Sequence, residues 1–228
     1  MIAGAADFFS ERLAVAPVLA VLRRHDPRSS VQVAEICWNA GVELVEVSLS
    51  HDRTLEAVSA VCRRAADLGR VAGAGTVCTP SDVRAAAEAG ASFVVAPGLA
   101  RDAVETARDV GLPYLPGVAT PSEVQAALAL DCRTLKLFPA RELGPGWIRA
   151  LAGPFPDARF VAVGGVSAAD AADFVAAGAI GVGIGTALDP AVLPALLREL
   201  RRALDVDQVG GEAAYDRHEY GEPSTDHA

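Results

Sequence analysis

Lys136 is the residue whose type and setting most strongly indicate chemistry, since it is the single lysine in a chain with nineteen arginines. It lies within the apolar segment Thr134–Phe138, where strand alternation turns Leu135 and Leu137 one way and Lys136 the other. Burial disfavours the ammonium form and lowers the pKa of a lysine toward neutrality. The neutral amine forms imines with carbonyl compounds, which a guanidinium cannot do. Lys136 is therefore predicted to be a Schiff-base nucleophile, and a structural ion pair is the alternative.

Glu46 is a second ionisable residue inside an apolar segment, Glu43–Ser48. Alternation places Glu46 on the face opposite Val45 and Val47, so that it would line the same interior as Lys136. Such an environment raises the pKa of a carboxyl group and suits it to general acid–base catalysis. We expect Glu46 to move protons for Lys136, although a simple ion pair with the lysine would give the same pattern.

Two further strand ends carry groups that suit a substrate carboxylate. Gly73-Ala74-Gly75-Thr76 combines small residues, which let the backbone approach a ligand, with a hydroxyl donor at Thr76. Arg23 ends the first apolar segment and is a candidate carboxylate clamp. Its neighbour Arg24 has an equal claim from composition alone.

Two glycine-rich segments predict a phosphate site. Gly164-Gly165-Val166-Ser167 runs into a predicted helix, and Gly183-Ile184-Gly185-Thr186 follows the next predicted strand. Backbone N–H groups of such loops bind phosphate. Either segment alone would also fit a tight turn. The predicted phosphate ligands are Gly164, Gly165, Gly185 and Thr186.

A catalytic metal is not expected. A metal-dependent aldolase or hydrolase needs a cluster of histidines and carboxylates at one site. Of the four histidines, two lie in the predicted tail and His25 lies in the loop after the first strand, so only His51, after the second strand, is near a likely site. The sequence therefore predicts no metal and no separate cofactor, with covalent chemistry at Lys136 alone.

These residues need a scaffold that brings strand ends together. Apolar β-branched segments alternate with alanine-rich amphipathic ones. Strands are predicted at 17–22, 43–48, 70–75, 92–96, 113–117, 134–138, 159–164 and 180–185. Helices are predicted at 29–40, 54–68, 80–88, 101–109, 121–129, 146–151, 168–176 and 190–203. Eight such units predict a single-domain α/β fold, a (β/α)8 TIM barrel over residues 1–204, whose site lies at the carboxyl ends of the strands. A doubly wound open sheet is the rival, but no G-x-G-x-x-G follows the first strand.

Composition limits the partners and the compartment. The net charge of −9 gives no electrostatic surface for nucleic acid or an anionic membrane. The four cysteines form no C-x-x-C pair, which favours a reducing cytoplasm. Most of the excess acidity lies in residues 205–228, which are predicted to be a disordered tail.

Together, these segments resemble the 2-dehydro-3-deoxy-6-phosphogluconate/4-hydroxy-2-oxoglutarate aldolase family, in order and spacing, over about residues 15–200. The resemblance rests on Leu44-Val45-Glu46-Val47, Gly73-Ala74-Gly75-Thr76-Val77, Ala96-Pro97-Gly98, Pro116-Gly117-Val118-Ala119-Thr120, Leu135-Lys136-Leu137-Phe138-Pro139-Ala140 and Gly164-Gly165-Val166. It implies a homotrimeric barrel that cleaves a 2-keto-3-deoxy-6-phospho-sugar acid to pyruvate and glyceraldehyde 3-phosphate. It also implies that Pro97 and Phe138 contact the substrate.

Two positions depart from the family pattern. Ser50 stands where the phosphogluconate enzymes usually carry an arginine for the substrate carboxylate, which promotes Arg23 as its replacement. The phosphogalactonate branch is similar in this respect, so the C4 epimer stays open. Arg141 stands where many relatives have glutamate, and we expect it to be peripheral.

Two other functions remain open from the sequence. One is a phosphate-binding barrel isomerase or epimerase in which Lys136 only neutralises charge. The other is a non-catalytic sugar-acid-binding relative, which the serine at position 50 makes conceivable.

Overall fold

A computed structural model describes residues 7–23, 26–49, 54–185 and 191–210 of the chain. The strands are β1 (Val18–Leu22), β2 (Leu44–Ser48), β3 (Val71–Gly75), β4 (Val94–Val95), β5 (Tyr114–Leu115), β6 (Gly117–Val118), β7 (Thr134–Leu137), β8 (Arg159–Val163) and β9 (Ala179–Ile184). The helices are α1 (Phe8–Val15), α2 (Pro27–Asn39), α3 (Thr54–Asp67), α4 (Pro80–Glu88), α5 (Arg101–Asp109), α6 (Pro121–Leu128), α7 (Ala140–Leu143), α8 (Pro145–Ala152), α9 (Ala171–Ala176) and α10 (Leu193–Gly210).

The strands form one parallel sheet in the order β5-β4-β3-β2-β1-β9-β8-β7-β6. The two edge strands, β5 and β6, are joined through Pro116 and together occupy the place of the fifth predicted strand. Proline has no backbone N–H to donate, so it interrupts a strand. Because β5 pairs with β4 and β6 pairs with β7, the sheet closes around this break. The prediction of a TIM barrel is confirmed.

Alternate residues of each strand face two different cores. Leu135 and Leu137 belong to the larger apolar core between the sheet and the helices. The smaller core fills the barrel interior, called the lumen below, and contains Leu19, Val21, Leu44, Phe93, Val95, Leu115, Val161 and Val163. This alternation follows from the pleat of the strands, and it turns Thr134 and Lys136 of β7 into the lumen.

Helix α1, which the sequence did not predict, closes the amino-terminal end of the barrel. Its Phe9 and Leu13 join the lumen core, and the missing side chain of Gly181 leaves room for Leu13. Asp7 caps the helix by accepting from the N–H groups of Phe9 and Ser10. The same carboxylate accepts a 2.6 Å hydrogen bond from the Thr134 hydroxyl at the start of β7.

Most other boundaries agree with the prediction within a few residues. Thr79 and Thr120 form capping boxes at the starts of α4 and α6, as their positions before proline indicate. Helix α10 continues to Gly210 instead of ending at residue 203, because no helix breaker precedes the Gly210-Gly211 pair. The predicted tail beyond residue 210 lies outside the described residues. Within the described ranges, every helix is too short or too polar to cross a membrane.

Candidate active site

Lys136 lies at the centre of the barrel. It is flanked in register by Gly117 of β6 and Val161 of β8, and its side chain is only 2% exposed. Its Nζ lies 5.1 Å from the centre of the ring of Phe138, which directly follows β7. The structure therefore places the lysine amine in a nearly dry interior, beside an aromatic face.

Glu46 reaches the same interior from β2 and is 1% exposed. Its carboxylate lies directly over Gly75, where a Cβ atom would come within 2.6 Å of Oε1. Within the described part of the chain, Oε2 is buried and has no hydrogen-bond partner. A buried carboxylate oxygen without a partner is costly, so this atom is available to a proton, a water molecule or a substrate hydroxyl.

Burial is the main cause of the pKa shifts of Lys136 and Glu46, and each group also changes the pKa of the other. Burial lowers the pKa of Lys136, and the nearby Glu46 carboxylate opposes that effect while Arg23 reinforces it. Burial likewise raises the pKa of Glu46, against the opposing charges of Lys136 and Arg23. Both shifts favour the neutral forms, an amine and a carboxylic acid. These are the forms that a nucleophile and a general acid require.

Thr76 follows β3 at the mouth of the lumen, next to the Glu46 carboxylate above Gly75. Its backbone has a φ of 62°, a left-handed conformation that is rare for a β-branched residue. Its hydroxyl lies 2.6 Å from the hydroxyl of Ser48 on β2. The sequence gives Ser48 no chemical signal of its own, although alternation along β2 puts it on the Glu46 face.

The glycine-rich segments meet on the opposite side of the lumen mouth. They line a cavity of about 260 Å³ together with Arg23 and Phe138. Its lining is Val21, Arg23, Phe138, Val163, Gly164, Gly165, Val166, Gly183 and Gly185. Gly164 and Gly165 have φ values of 101° and 75°, which a residue with a side chain adopts only under strain. The two predicted phosphate segments are therefore brought together, while Thr186 lies outside the described residues.

Two arginines, Arg23 and Arg141, lie beside this cavity, and their contacts with the glycines could not be predicted from the sequence. Arg23 lines it, and its Nε lies 3.9 Å from where a Cβ of Gly185 would be. It thus stands between the lysine–glutamate pair and the glycines. Arg141 was expected to be peripheral. Its side chain is exposed, yet its Cβ and Cδ lie against Gly165, within 2.9 Å of where a Cβ would stand.

Pro97 follows β4 and packs its carbonyl against Gly117, the register neighbour of Lys136. The half-buried proline therefore lies beside the lysine strand, where the resemblance implied a substrate contact. Ser50 and His51 lie outside the described residues. In the described ranges, no group of three or more histidines, cysteines or carboxylates is arranged to hold a metal ion.

The chain matches known proteins over most of its length. The family model for KDPG and KHG aldolases matches residues 9–196. A 2-dehydro-3-deoxy-phosphogluconate aldolase of Pseudomonas aeruginosa is 37% identical over 172 residues, which cover 75% of this chain and 76% of that protein. A 2-dehydro-3-deoxy-6-phosphogalactonate aldolase of Escherichia coli is 32% identical over 75% of this chain and 84% of its own.

One solved structure with the same fold contains a covalent reaction intermediate. The KDPG aldolase of Legionella pneumophila, with pyruvate captured as a covalent carbinolamine intermediate, is 26% identical with a TM-score of 0.71. It covers 86% of this chain, which in turn covers 97% of it. The chain therefore belongs to the KDPG and KHG aldolase family and is a class I aldolase, a carbon–carbon lyase.

Proposed function

We propose that this aldolase cleaves a 2-keto-3-deoxy-6-phospho-sugar acid to pyruvate and D-glyceraldehyde 3-phosphate through an imine on Lys136. The observation that carries the proposal is the pairing of a buried amine with a buried carboxyl group, each with its pKa shifted toward the neutral form. A glycine-lined cavity of phosphate-binding type opens beside this pair. The names of the similar proteins support a phosphorylated keto acid as the substrate class.

The first half of the reaction builds the imine. The neutral Lys136 amine adds to the C2 ketone and forms a carbinolamine, with its proton passing to the former carbonyl oxygen. The Glu46 carboxylic acid then protonates this hydroxyl, which leaves as water. The products of this stage are a protonated imine and a Glu46 carboxylate, so charge and protons balance.

The second half breaks the C3–C4 bond. The Glu46 carboxylate removes the C4 hydroxyl proton, the aldehyde forms, and the bonding electrons move into the imine to give an enamine. Glu46 returns that proton to C3. Water then hydrolyses the resulting pyruvate imine, giving its proton to Glu46 and releasing pyruvate and the neutral amine. The unpartnered Oε2 of Glu46 supports this role, since a proton acceptor must be free.

The ends of the substrate are held on different sides of Lys136. Thr76 binds the carboxylate from its own side, and Arg23, which lies between the lysine–glutamate pair and the glycines, reaches the carboxylate from the other. Pro97 and Phe138 enclose the reacting carbons. Gly164, Gly165 and Gly185, with Thr186, bind the phosphate. Fixing both ends aligns the scissile bond with the imine, and such positioning is worth several orders of magnitude in rate.

The assembly and setting are part of the proposal. We infer metal-independent catalysis, since the imine itself supplies the electron sink. We also infer a homotrimer in the cytoplasm with no nucleic-acid or membrane partner. The trimer rests on the family resemblance. The compartment rests on four cysteines that are all free thiols.

The test is pyruvate release from the gluconate- and galactonate-derived 6-phosphates, followed by coupling to NADH oxidation by lactate dehydrogenase. We expect release from at least one epimer, full activity in EDTA, and none from a Lys136→Arg variant that keeps the charge. The ratio of kcat/KM for the two epimers identifies the substrate. Pyruvate release from neither epimer, or loss of activity in EDTA, would overturn the proposal.

A further inference from the structure

Ser48 is a polar residue buried beside the catalytic pair without a role in the reaction described above. It ends β2, two positions after Glu46, and therefore faces the lumen as Glu46 does. Its exposed fraction is 0%, and its hydroxyl lies 2.6 Å from that of Thr76 on the neighbouring strand. The buried Ser48 hydroxyl is therefore paired with Thr76, and Thr76 borders the active site.

Thr76, the partner of Ser48, has a strained backbone conformation that its surroundings must stabilise. Its φ of 62° persists only where neighbouring groups hold the residue in place. Around it, the N–H of Leu49 donates to Gly75 O at 2.7 Å, and the N–H of Val77 donates to Val95 O at 3.1 Å. These bonds fix the backbone on both sides. In the described part of the chain, the hydrogen bond to Ser48 is the one that acts on the Thr76 hydroxyl itself.

The direction of the hydrogen bond decides what Thr76 can bind. A hydroxyl group has one proton, and a carboxylate only accepts hydrogen bonds. If Thr76 donates to a carboxylate, then the bond between the two hydroxyls must run from Ser48 to Thr76. Ser48 would thus complete a relay from its own hydroxyl through Thr76 to the ligand, and a donor that accepts a hydrogen bond itself is strengthened.

We propose that Ser48 is a positioning residue that orients the Thr76 hydroxyl toward the carboxylate of the keto acid. The proposal rests on the proposed function, since it assumes that this site binds a 2-keto acid. It goes further in assigning carboxylate recognition to a two-residue relay across β2 and β3. A purely structural tie between these strands is the competing explanation.

The test uses pyruvate, which carries the keto acid group without the sugar. Imine formation is measured as borohydride trapping at increasing pyruvate concentration, for the wild type, Ser48→Ala, Thr76→Val and the double variant. Acetone serves as the matched ketone without a carboxylate. Ser48→Thr is the conservative variant that keeps the hydroxyl, and Ser30→Ala removes another fully buried serine hydroxyl, in α2.

We expect Ser48→Ala to raise the pyruvate concentration for half-maximal trapping about five- to tenfold, the usual effect of losing one hydrogen bond between neutral groups. Trapping by acetone stays unchanged, and Ser48→Thr restores pyruvate binding. The double variant is no worse than Thr76→Val, because Ser48 acts through Thr76. Ser30→Ala matches the wild type.

Other outcomes overturn the inference. Equal losses with pyruvate and acetone, or additive losses in the double variant, would make Ser48 a structural tie. Failure to cleave the phosphorylated sugar acids, with normal pyruvate trapping, would overturn the proposed substrate and leave the relay measurable. No trapping of pyruvate by the wild type would overturn both.

Discussion

Replacing Gly75 by alanine should displace the Glu46 carboxylate and slow catalysis while the protein stays folded. A Cβ at residue 75 would stand 2.6 Å from Glu46 Oε1 and 2.8 Å from Cδ. Ordinary contact begins at about 3.4 Å, so the carboxylate must move by roughly 0.8 Å. The backbone need not move, since the obstructing atoms are the end of a flexible side chain.

A displacement of this size is large on the scale of catalysis. Misplacing a reacting group by about 1 Å costs roughly a hundredfold in rate, whereas a tolerated extra methyl in a core costs about 1–3 kcal/mol of stability. We therefore expect Gly75→Ala to lower kcat/KM about a hundredfold while the protein remains folded. The assay is pyruvate release coupled to NADH oxidation, with thermal unfolding measured in parallel.

The matched control is Gly153→Ala. Gly153 follows α8, has a helical φ of −57°, and has no atom within 4 Å of where its Cβ would stand. This variant should retain wild-type activity. A Gly75→Ala enzyme within threefold of the wild type would refute the reasoning, because it would mean that the carboxylate position above Gly75 does not matter.

Three further predictions concern charge, a thiol and the glycine cavity. Whenever Glu46 is ionised, its negative charge raises the Lys136 pKa. Glu46→Gln removes that charge at every pH, so the pH midpoint of pyruvate trapping should move to lower pH; an unchanged or higher midpoint would contradict the coupling. Cys78 is the exposed thiol, whereas burial raises the pKa of Cys37 and Cys62 to about 12 and that of the half-buried Cys132 to about 11. Burial and Asp82 raise the Cys78 pKa too, but its exposure means that a disulfide reagent should modify Cys78 first and that Cys78→Ser should abolish that fast phase. Gly165→Ala combines a φ of 75° with contact against an arginine side chain, and should weaken inhibition by inorganic phosphate about tenfold; unchanged inhibition would place phosphate elsewhere.

Sequence alternation was sufficient to orient the catalytic pair. Leucines on either side of Lys136 and valines on either side of Glu46 identify the helix-facing sides of β7 and β2, so both polar residues had to enter the lumen. The barrel itself followed from the count of strand and helix units. Such regular patterns are readable because each depends only on neighbours along the chain.

Features that depend on distant contacts were not readable in the same way. Helix α1 is short, and it is held by the contact of Asp7 with Thr134, which lie far apart in the sequence. The left-handed backbone of Thr76 comes directly after β3, and the sequence gives no sign of it, because threonine rarely adopts this conformation. The break in the fifth strand, by contrast, was foreseeable, since Pro116 lies inside the predicted segment.

The most direct test of the account is intact-protein mass spectrometry after treatment with pyruvate and borohydride. Because Lys136 is the single lysine, the account predicts one reduced pyruvate adduct per chain, located at residue 136 by peptide mapping and absent from Lys136→Met. An active enzyme that gains no adduct, or that gains it at its amino terminus, would contradict imine catalysis at Lys136.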